Sequence, residues 1–132
     1  MKFIADTHAF LWFITDSEQL SPQAKAMLES PGNERVLSVA SIWEIAIKTS
    51  LGKLSFKKPL EEFLPEQISL NYFQVLDISS EHALRVAALP MLHRDPFDRM
   101  IIAQSIEEKL TCVSSDDRFP LYKPSGLELL WK

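Results

Sequence analysis

Short apolar segments alternate with longer segments of helical pattern along the chain, and this alternation constrains the fold more than any other feature. The apolar segments are three to five residues long and rich in β-branched and aromatic types, which favours strands buried on both faces. Strands that alternate with helices form a parallel sheet with helices on both faces. We therefore predict an α/β fold with a parallel sheet of four or five strands. The predicted strands are Lys2–Ala5, Arg35–Val39, Phe73–Leu76, Thr111–Val113 and an edge strand within Leu127–Trp131.

Capping residues and prolines mark the helices between these strands. Ser41 and Glu44 have the spacing of a capping box, in which each side chain bonds a backbone N–H at the start of the helix. Pro65 is expected to break or kink its helix, because proline lacks the N–H that bonds the preceding turn. The predicted helices run from Thr7 to Ile14, from Pro22 to near Pro31, from Ser41 to Leu51, from Pro59 to Leu70, from Ser80 to Leu89 and from Pro96 to Lys109.

Length and composition limit the class of protein. With 132 residues, 46% of them hydrophobic, the chain suits a single domain over residues 1–132. No apolar segment approaches the roughly 20 residues that cross a bilayer, and Asp6 interrupts the apolar start, so we predict a cytoplasmic protein without a membrane contact. The net charge of −4 argues against nonspecific nucleic-acid binding by charge alone. The single cysteine, Cys112, is expected in the core.

The composition also argues against two common kinds of site, a structural zinc site and a glycine-rich phosphate-binding loop. The three histidines and the single cysteine show no zinc-ligand spacing, so a structural zinc is not expected. Only three glycines are present, and none forms a phosphate-binding loop. A phosphate substrate would therefore depend on other groups.

Four acidic residues lie where a predicted strand stops or a helix begins: Asp6, Glu44, Asp98 and Asp116. The ends of parallel strands open into a crevice where ligands bind, so these carboxylates are expected to meet at one edge of the sheet. Carboxylates brought together repel one another unless a positive charge lies between them. Hard cations such as Mg²⁺ or Mn²⁺ prefer oxygen ligands and keep waters that a phosphate can replace. The pattern predicts metal-dependent phosphate chemistry.

Each of the first two acids also has a purely structural interpretation. Asp6 is placed to cap the helix that starts at Thr7. Glu44 is placed to reach back to the helix start in the capping box with Ser41, which needs no metal. Both interpretations remain open from the sequence.

The segment Asp95-Pro96-Phe97-Asp98 offers two acids for one helix start. We assign the N-cap to Asp95, because Pro96 suits the first helical position, and we assign the chemistry to Asp98 in the first turn. Of the adjacent pair after the fourth strand, Asp116 is the candidate site residue and Asp117 is expected in solvent.

Two arginines lie close in sequence to the acids and are candidates for substrate binding. Arg94 and Arg99 flank Asp95 and Asp98, and a guanidinium binds phosphate oxygens with paired geometry. Either arginine is a candidate contact to the scissile or a neighbouring phosphate.

Four segments of the sequence resemble the PIN-domain ribonucleases, and within them the VapC-type toxins of bacterial toxin–antitoxin pairs. The resemblance covers nearly the whole chain, with the four segments in the family's order. They are the first strand closing on Asp6-Thr7, Ser41-Ile42-Trp43-Glu44-Ile45, His93-Arg94-Asp95-Pro96-Phe97-Asp98-Arg99 with Ala103-Gln104 beyond it, and Ser114-Ser115-Asp116-Asp117-Arg118-Phe119.

This resemblance implies a fold, an activity and partners. The implied fold is a three-layer α/β/α sandwich, and the implied activity is an endoribonuclease that uses one or two Mg²⁺ or Mn²⁺ ions to hydrolyse RNA. The implied partners are a second copy of the chain in a homodimer and a small antitoxin protein that blocks the active site.

The resemblance also implies site residues. The metal-site acids of the family match Asp6, Glu44, Asp98 and Asp116, with Asp95 the nearest competitor. The family often has threonine at the position of Ser114, whose hydroxyl is expected to orient the site. Thr7, which follows the first acid, is a further supporting candidate.

Two other functions remain open. A phosphoacceptor signalling domain also gathers acids and Mg²⁺ at strand ends, but it usually needs a lysine after a late strand, and none follows Cys112-Val113. An inactive PIN-fold binding module would use the same surface only to hold RNA or protein, and the presence of all four acids argues against it.

Overall fold

The computed structural model describes residues 1–131, which fold around a five-stranded parallel sheet. The strands are β1 (Lys2–Ala5), β2 (Glu34–Ser38), β3 (Phe73–Leu76), β4 (Thr111–Val113) and β5 (Glu128–Leu130). The helices are α1 (Thr7–Ile14), α2 (Pro22–Glu29), α3 (Val39–Ser50), α4 (Leu60–Leu70), α5 (Ser80–Ala88), α6 (Pro96–Glu108) and a 3₁₀ helix (Phe119–Ser125). Every strand pair is parallel, which confirms the predicted α/β fold.

The order of the strands in the sheet is β3-β2-β1-β4-β5. The chain moves outward from β1 through β2 to β3 and then returns to the other side of β1 to form β4 and β5. The direction of winding therefore reverses between β1 and β4. Such a reversal opens a crevice at the carboxyl ends of the two strands, because the segments that leave them go to opposite faces of the sheet.

Each face of the sheet carries its own hydrophobic cluster, because successive strand residues point to opposite sides. Phe3 and Leu37 pack with residues of α1, α2, α3 and α4. Ile4 and Val36 pack with residues of α5, α6 and the 3₁₀ helix. Cys112 lies fully buried in this second cluster, as predicted. The result is the three-layer α/β/α sandwich.

The start of α3 differs from the prediction. Its N-cap is Ser38, whose hydroxyl accepts a hydrogen bond of 2.9 Å from the backbone N–H of Ala40. The predicted capping box of Ser41 and Glu44 is therefore wrong. The last residue of β2 itself caps the helix, so the strand ends one residue before Val39 and the helix begins there.

The helix α4 continues through Pro65, so the predicted break is wrong. Leu64 is buried in the core, and Leu60 and Ile68 pack against the same cluster. Pro65 itself lies on the exposed side of the helix. Packing of the apolar side holds the helix together despite the missing backbone N–H.

Two helix starts agree with the sequence, and one short helix was not predicted. Ser21 caps α2 with Pro22 in the first position, and Asp95 caps α6 in the same way. The 3₁₀ helix contributes two fully buried aromatic side chains, Phe119 and Tyr122, to the core. Within residues 1–131, no helix combines the length and apolarity that crossing a membrane requires.

We expect Ser38→Ala to lower the free energy of unfolding by about 1 kcal/mol, because the N–H of Ala40 loses its partner. Urea unfolding monitored by circular dichroism would measure the loss. Ser50→Ala at the exposed end of the same helix is the matched control and should change stability little. Equal effects of the two substitutions would contradict the assignment of Ser38 as the cap.

Candidate metal centre

The four acids predicted from the sequence lie on elements that border the crevice between β1 and β4. Asp6 follows β1, Asp116 lies beyond β4, Asp98 is in the first turn of α6, and Glu44 projects from α3. Burial and the negative charges of Asp95, Asp6, Glu44 and Asp116 raise the pKa of Asp98 to about 8. Ligand atoms of Asp98, Asp116 and His93 lie within 4.8 Å of one another, and the charges of Asp6 and Glu44 add to the raised pKa of Asp98.

Asp6 both caps a helix and belongs to the cluster. Its Oδ1 accepts a hydrogen bond of 2.8 Å from the N–H of Ala9, which caps α1 as the structural interpretation expected. Its Oδ2 accepts a hydrogen bond of 2.5 Å from the hydroxyl of Ser114. Burial raises the pKa of Asp6 to about 6, although both hydrogen bonds favour the charged form. The capping and site interpretations are therefore compatible.

Glu44 is buried and has one unpartnered oxygen. It lies in the second turn of α3, where its Oε2 accepts a hydrogen bond of 2.6 Å from the ammonium of Lys48 one turn later. Its Oε1 has no hydrogen-bond partner within residues 1–131. A buried carboxylate oxygen without a partner is costly, so this oxygen is free to receive a cation.

Two hydroxyl groups connect the elements that carry the acids. Ser114 donates to Asp6 and accepts the backbone N–H of Asp116 at 3.1 Å, which ties the ends of β1 and β4 together. Thr7 donates to the hydroxyl of Ser41 at 2.9 Å, which ties the first turn of α1 to α3. Ser114, Asp6, Thr7 and Ser41 are buried, and Asp116 is partly exposed.

The two acids at the start of α6 have separate positions. One oxygen of Asp95 accepts the backbone N–H groups of Phe97 and Asp98, at 2.8 and 3.1 Å. Asp95 is therefore the N-cap, as predicted. Oδ2 of Asp98 instead lies 3.0 Å from a ring nitrogen of His93, and Asp117 is exposed to solvent.

The cluster contains a histidine that the sequence analysis did not select. Nε2 of His93 lies 3.0 Å from Oδ2 of Asp98 and 3.1 Å from Oδ2 of Asp116. The histidines were set aside because they lack zinc spacing, which is a test for a different kind of site. The available signal was the position of His93, two residues before the cap Asp95 in the same motif.

The predicted role of Arg99 in phosphate binding is corrected by its surroundings. Its side chain is buried and donates to the backbone carbonyls of Pro90, Val86 and Leu89 at 3.0 to 3.4 Å and to the hydroxyl of Tyr122 at 3.1 Å. The hydrogen-bond donors of the guanidinium are therefore used by the loop before α6. A buried arginine with these partners holds the loop in place and does not reach a substrate.

Arg94 remains a candidate for substrate contact. It is exposed and lines a polar pocket with His93, Asp95 and Arg118 next to the acids. Arg118 is also exposed at this rim. Two guanidinium groups beside a negative cluster can compensate phosphate charge there.

The family comparison agrees with this geometry. Residues 3–123 match the family model described as the PIN domain. The chain belongs to the PIN domain family. Among curated proteins, no match is found.

Solved structures share the PIN-domain fold over nearly the whole chain. VapBC2 from Rickettsia felis, bound to a DNA fragment from its promoter, matches with a TM-score of 0.71 and 18% identity over 100% of both chains. DNA-bound VapBC from Salmonella typhimurium has a TM-score of 0.68 and 17% identity over 98% of this chain and 97% of that one. FitAcB from Neisseria gonorrhoeae has a TM-score of 0.64 and 16% identity over 97% and 96%. At these identities the likeness concerns the fold.

The residues of this PIN domain fit a hard divalent cation. The candidate ligands Asp6, Glu44, Asp98 and Asp116 offer carboxylate oxygens, which Mg²⁺ and Mn²⁺ prefer. Two observations indicate a need for positive charge: Oε1 of Glu44 is buried without a partner, and the pKa of Asp98 is raised to about 8. A divalent ion would supply that charge and bring the carboxylates to their ionised forms.

In metal-free protein, we expect Asp98→Asn to raise the free energy of unfolding at pH 8 by roughly 2 kcal/mol or more and to change it little at pH 4. The pKa of Asp98 is about 8 in the folded protein and near 3.8 in the unfolded chain. The folded state therefore binds more protons between these values, and stability falls as the pH rises through this window. Asparagine does not titrate and removes this loss.

Urea unfolding in EDTA at pH 4, 6 and 8 would measure the difference. Asp117→Asn, at an exposed carboxylate, is the matched control. The same decline with pH in wild-type and Asp98→Asn proteins would contradict the electrostatic account of the cluster.

Proposed function

We propose that this PIN domain is a metal-dependent endoribonuclease and the toxin of a bacterial toxin–antitoxin pair. The observation that supports the nuclease proposal is the placement of four acids around the crevice between β1 and β4, one of them with a buried unpartnered oxygen. Several carboxylates together can bind a divalent cation, and a cation that keeps open coordination positions can bind a phosphate group. The metal is Mg²⁺ or Mn²⁺, as one or two ions.

The side chains have distinct tasks in the proposed reaction. Asp6, Glu44, Asp98 and Asp116 hold the cation, and Ser114 fixes the carboxylate of Asp6 and the backbone of Asp116. A bound ion would supply the positive charge that makes a water nucleophilic and that offsets charge on the departing oxygen of the phosphodiester. Arg94 at the rim binds phosphate oxygens of the RNA backbone. The products carry a 5′-phosphate and a 3′-hydroxyl.

The rim explains how a chain of net charge −4 can bind RNA. Arg94 and Arg118 place two positive charges beside the acids, so attraction is local. A small number of phosphate contacts gives a modest salt dependence. This arrangement favours recognition of a particular RNA shape or sequence over general RNA binding.

The toxin assignment rests on the four motifs that resemble VapC-type toxins and on the whole-chain likeness of the fold to VapBC structures. We propose a small antitoxin protein that covers the crevice and a homodimer of this chain as its partners. Both proposals share the motif resemblance as their support.

We expect Asp6→Asn and Asp98→Asn each to reduce RNA cleavage by at least about 100-fold, because each removes a charged cation ligand. The measurement is cleavage of a mixed RNA pool by antitoxin-free protein in Mg²⁺, Mn²⁺ or EDTA. Asp117→Asn changes an exposed neighbouring acid and should cleave like wild type. Cleavage that persists in EDTA or in Asp98→Asn would contradict a metal-dependent nuclease at this site.

Asp95→Asn should cost much less activity than Asp98→Asn, since asparagine also accepts the N–H groups of Phe97 and Asp98 as an N-cap. The same RNA assay, with circular dichroism to check folding, compares the two variants. Equal loss of cleavage in two folded proteins would show that Asp95 is itself a cation ligand.

A further inference from the structure

His93 lies inside the carboxylate cluster and is held on several sides. Its side chain is 9% exposed, and its ring meets that of Phe119 edge-on with centroids 5.9 Å apart. Nε2 lies between Asp98 and Asp116, at 3.0 and 3.1 Å from one oxygen of each. The imidazole therefore connects an acid of α6 with an acid that follows β4.

The opposite ring nitrogen determines where the proton is. Nδ1 of His93 faces the backbone N–H of Asp95 at 3.3 Å and accepts its hydrogen bond. An Nδ1 that accepts cannot carry a proton, so the ring proton is on Nε2. Nε2 then donates to Oδ2 of Asp116, and Oδ2 of Asp98 lies 3.0 Å from the same nitrogen.

This tautomer argues against His93 as a metal ligand, although its distances to Asp98 and Asp116 would suit one. A histidine that binds a metal through Nε2 donates its Nδ1–H to an acceptor. Here Nδ1 meets a donor, the N–H of Asp95. The hydrogen-bond pattern thus favours a donor that orients carboxylates.

The backbone that carries His93 is fixed by a buried tyrosine. The hydroxyl of Tyr122 accepts the N–H groups of Leu92 and His93 at 3.1 and 2.9 Å and donates to the carbonyl of Pro90 at 2.7 Å. The guanidinium of Arg99 bonds the same hydroxyl and the same carbonyl. The loop from Pro90 to His93 is therefore anchored to the 3₁₀ helix and to α6.

We propose that His93 is a positioning residue of this site. It donates Nε2–H to Asp116 and lies against Asp98, so that both carboxylates are preset for the cation, and Tyr122 fixes its backbone. The role deepens the proposed function and rests on it for the identity of the ion. Preset ligands matter because like charges otherwise turn away from one another, and a misplaced ligand lowers both affinity and rate.

The first test determines which ring nitrogen of His93 carries the proton. Two-dimensional ¹⁵N NMR of the histidine rings, with His93→Gln to assign the signal, reports which nitrogen carries hydrogen in metal-free and Mg²⁺-loaded protein. The proposal predicts a proton on Nε2 in both states. A bare Nε2 with a proton on Nδ1 in the Mg²⁺-loaded protein would make His93 a ligand and overturn the proposal.

The second test measures Mn²⁺ affinity by calorimetry, together with unfolding to confirm a folded chain. His93→Ala should weaken Mn²⁺ binding by about 10- to 100-fold, as expected when a group that orients a ligand is lost. His93→Gln retains an N–H donor near the position of Nε2 and should restore affinity to within about fivefold of wild type. Gln no better than Ala, or Ala equal to wild type, would overturn the donor role.

The tyrosine is tested in the same way. Tyr122→Phe removes only the hydroxyl and should weaken Mn²⁺ binding in a protein that stays folded, whereas Tyr72→Phe at an 80% exposed position should not. Unchanged affinity in Tyr122→Phe would remove Tyr122 from the proposal.

These experiments separate the two proposals, because they read metal binding and protonation without RNA. Wild-type protein that binds Mn²⁺ through His93-oriented acids but cuts no RNA would contradict the nuclease alone. Cleavage of RNA with no effect of His93→Ala on Mn²⁺ affinity would contradict the positioning role alone.

Discussion

Repulsion among carboxylates at the carboxyl ends of β1 and β4 is the interaction on which the rest of the site depends. Burial, and then the negative charges of Asp95, Asp6, Glu44 and Asp116, raise the pKa of Asp98 to about 8. A fold without a need for these charges would lose nothing by replacing them with neutral groups. A divalent cation is the group that such a set of acids fits, and the proposed function rests on it.

Several features of the fold offset this repulsion without removing it. Lys48 pairs with one oxygen of Glu44, Ser114 donates to Asp6, and His93 bridges Asp98 and Asp116. The acids at helix starts also lie near the positive ends of helix dipoles. These groups orient each carboxylate, while the buried Oε1 of Glu44 remains unpartnered. The carboxylates are therefore held in place, but the site lacks the positive charge that would balance them.

Local patterns were enough to predict most of the fold and to select four acids at strand ends and helix starts as candidates. Strands such as Lys2–Ala5 and the cap at Asp95 are set by neighbours in sequence, and the parallel sheet then places the strand ends together. The start of α3 was missed because Ser38 is both the end of a strand and a cap, and Pro65 was misjudged because packing outweighs local propensity.

The contacts of His93 and Arg99 could not be predicted from their neighbours, because they involve residues distant in sequence. Arg99 looked like a phosphate ligand beside Asp98, but it bonds Tyr122 and loop carbonyls that the fold brings near. His93 contacts both acids only because the fold brings α6 next to the segment after β4. A residue type beside a motif therefore indicates chemistry, and long-range packing decides whether the side chain reaches the substrate or supports the scaffold.

The most direct test of the central claim is an anomalous scattering map from crystals of this protein containing Mn²⁺. The account predicts a peak in the crevice between β1 and β4, at about 2.1 Å from carboxylate oxygens of the Asp6, Glu44, Asp98 and Asp116 cluster. A map with no peak in that crevice at saturating Mn²⁺, or with peaks only at other surface acids, would contradict it.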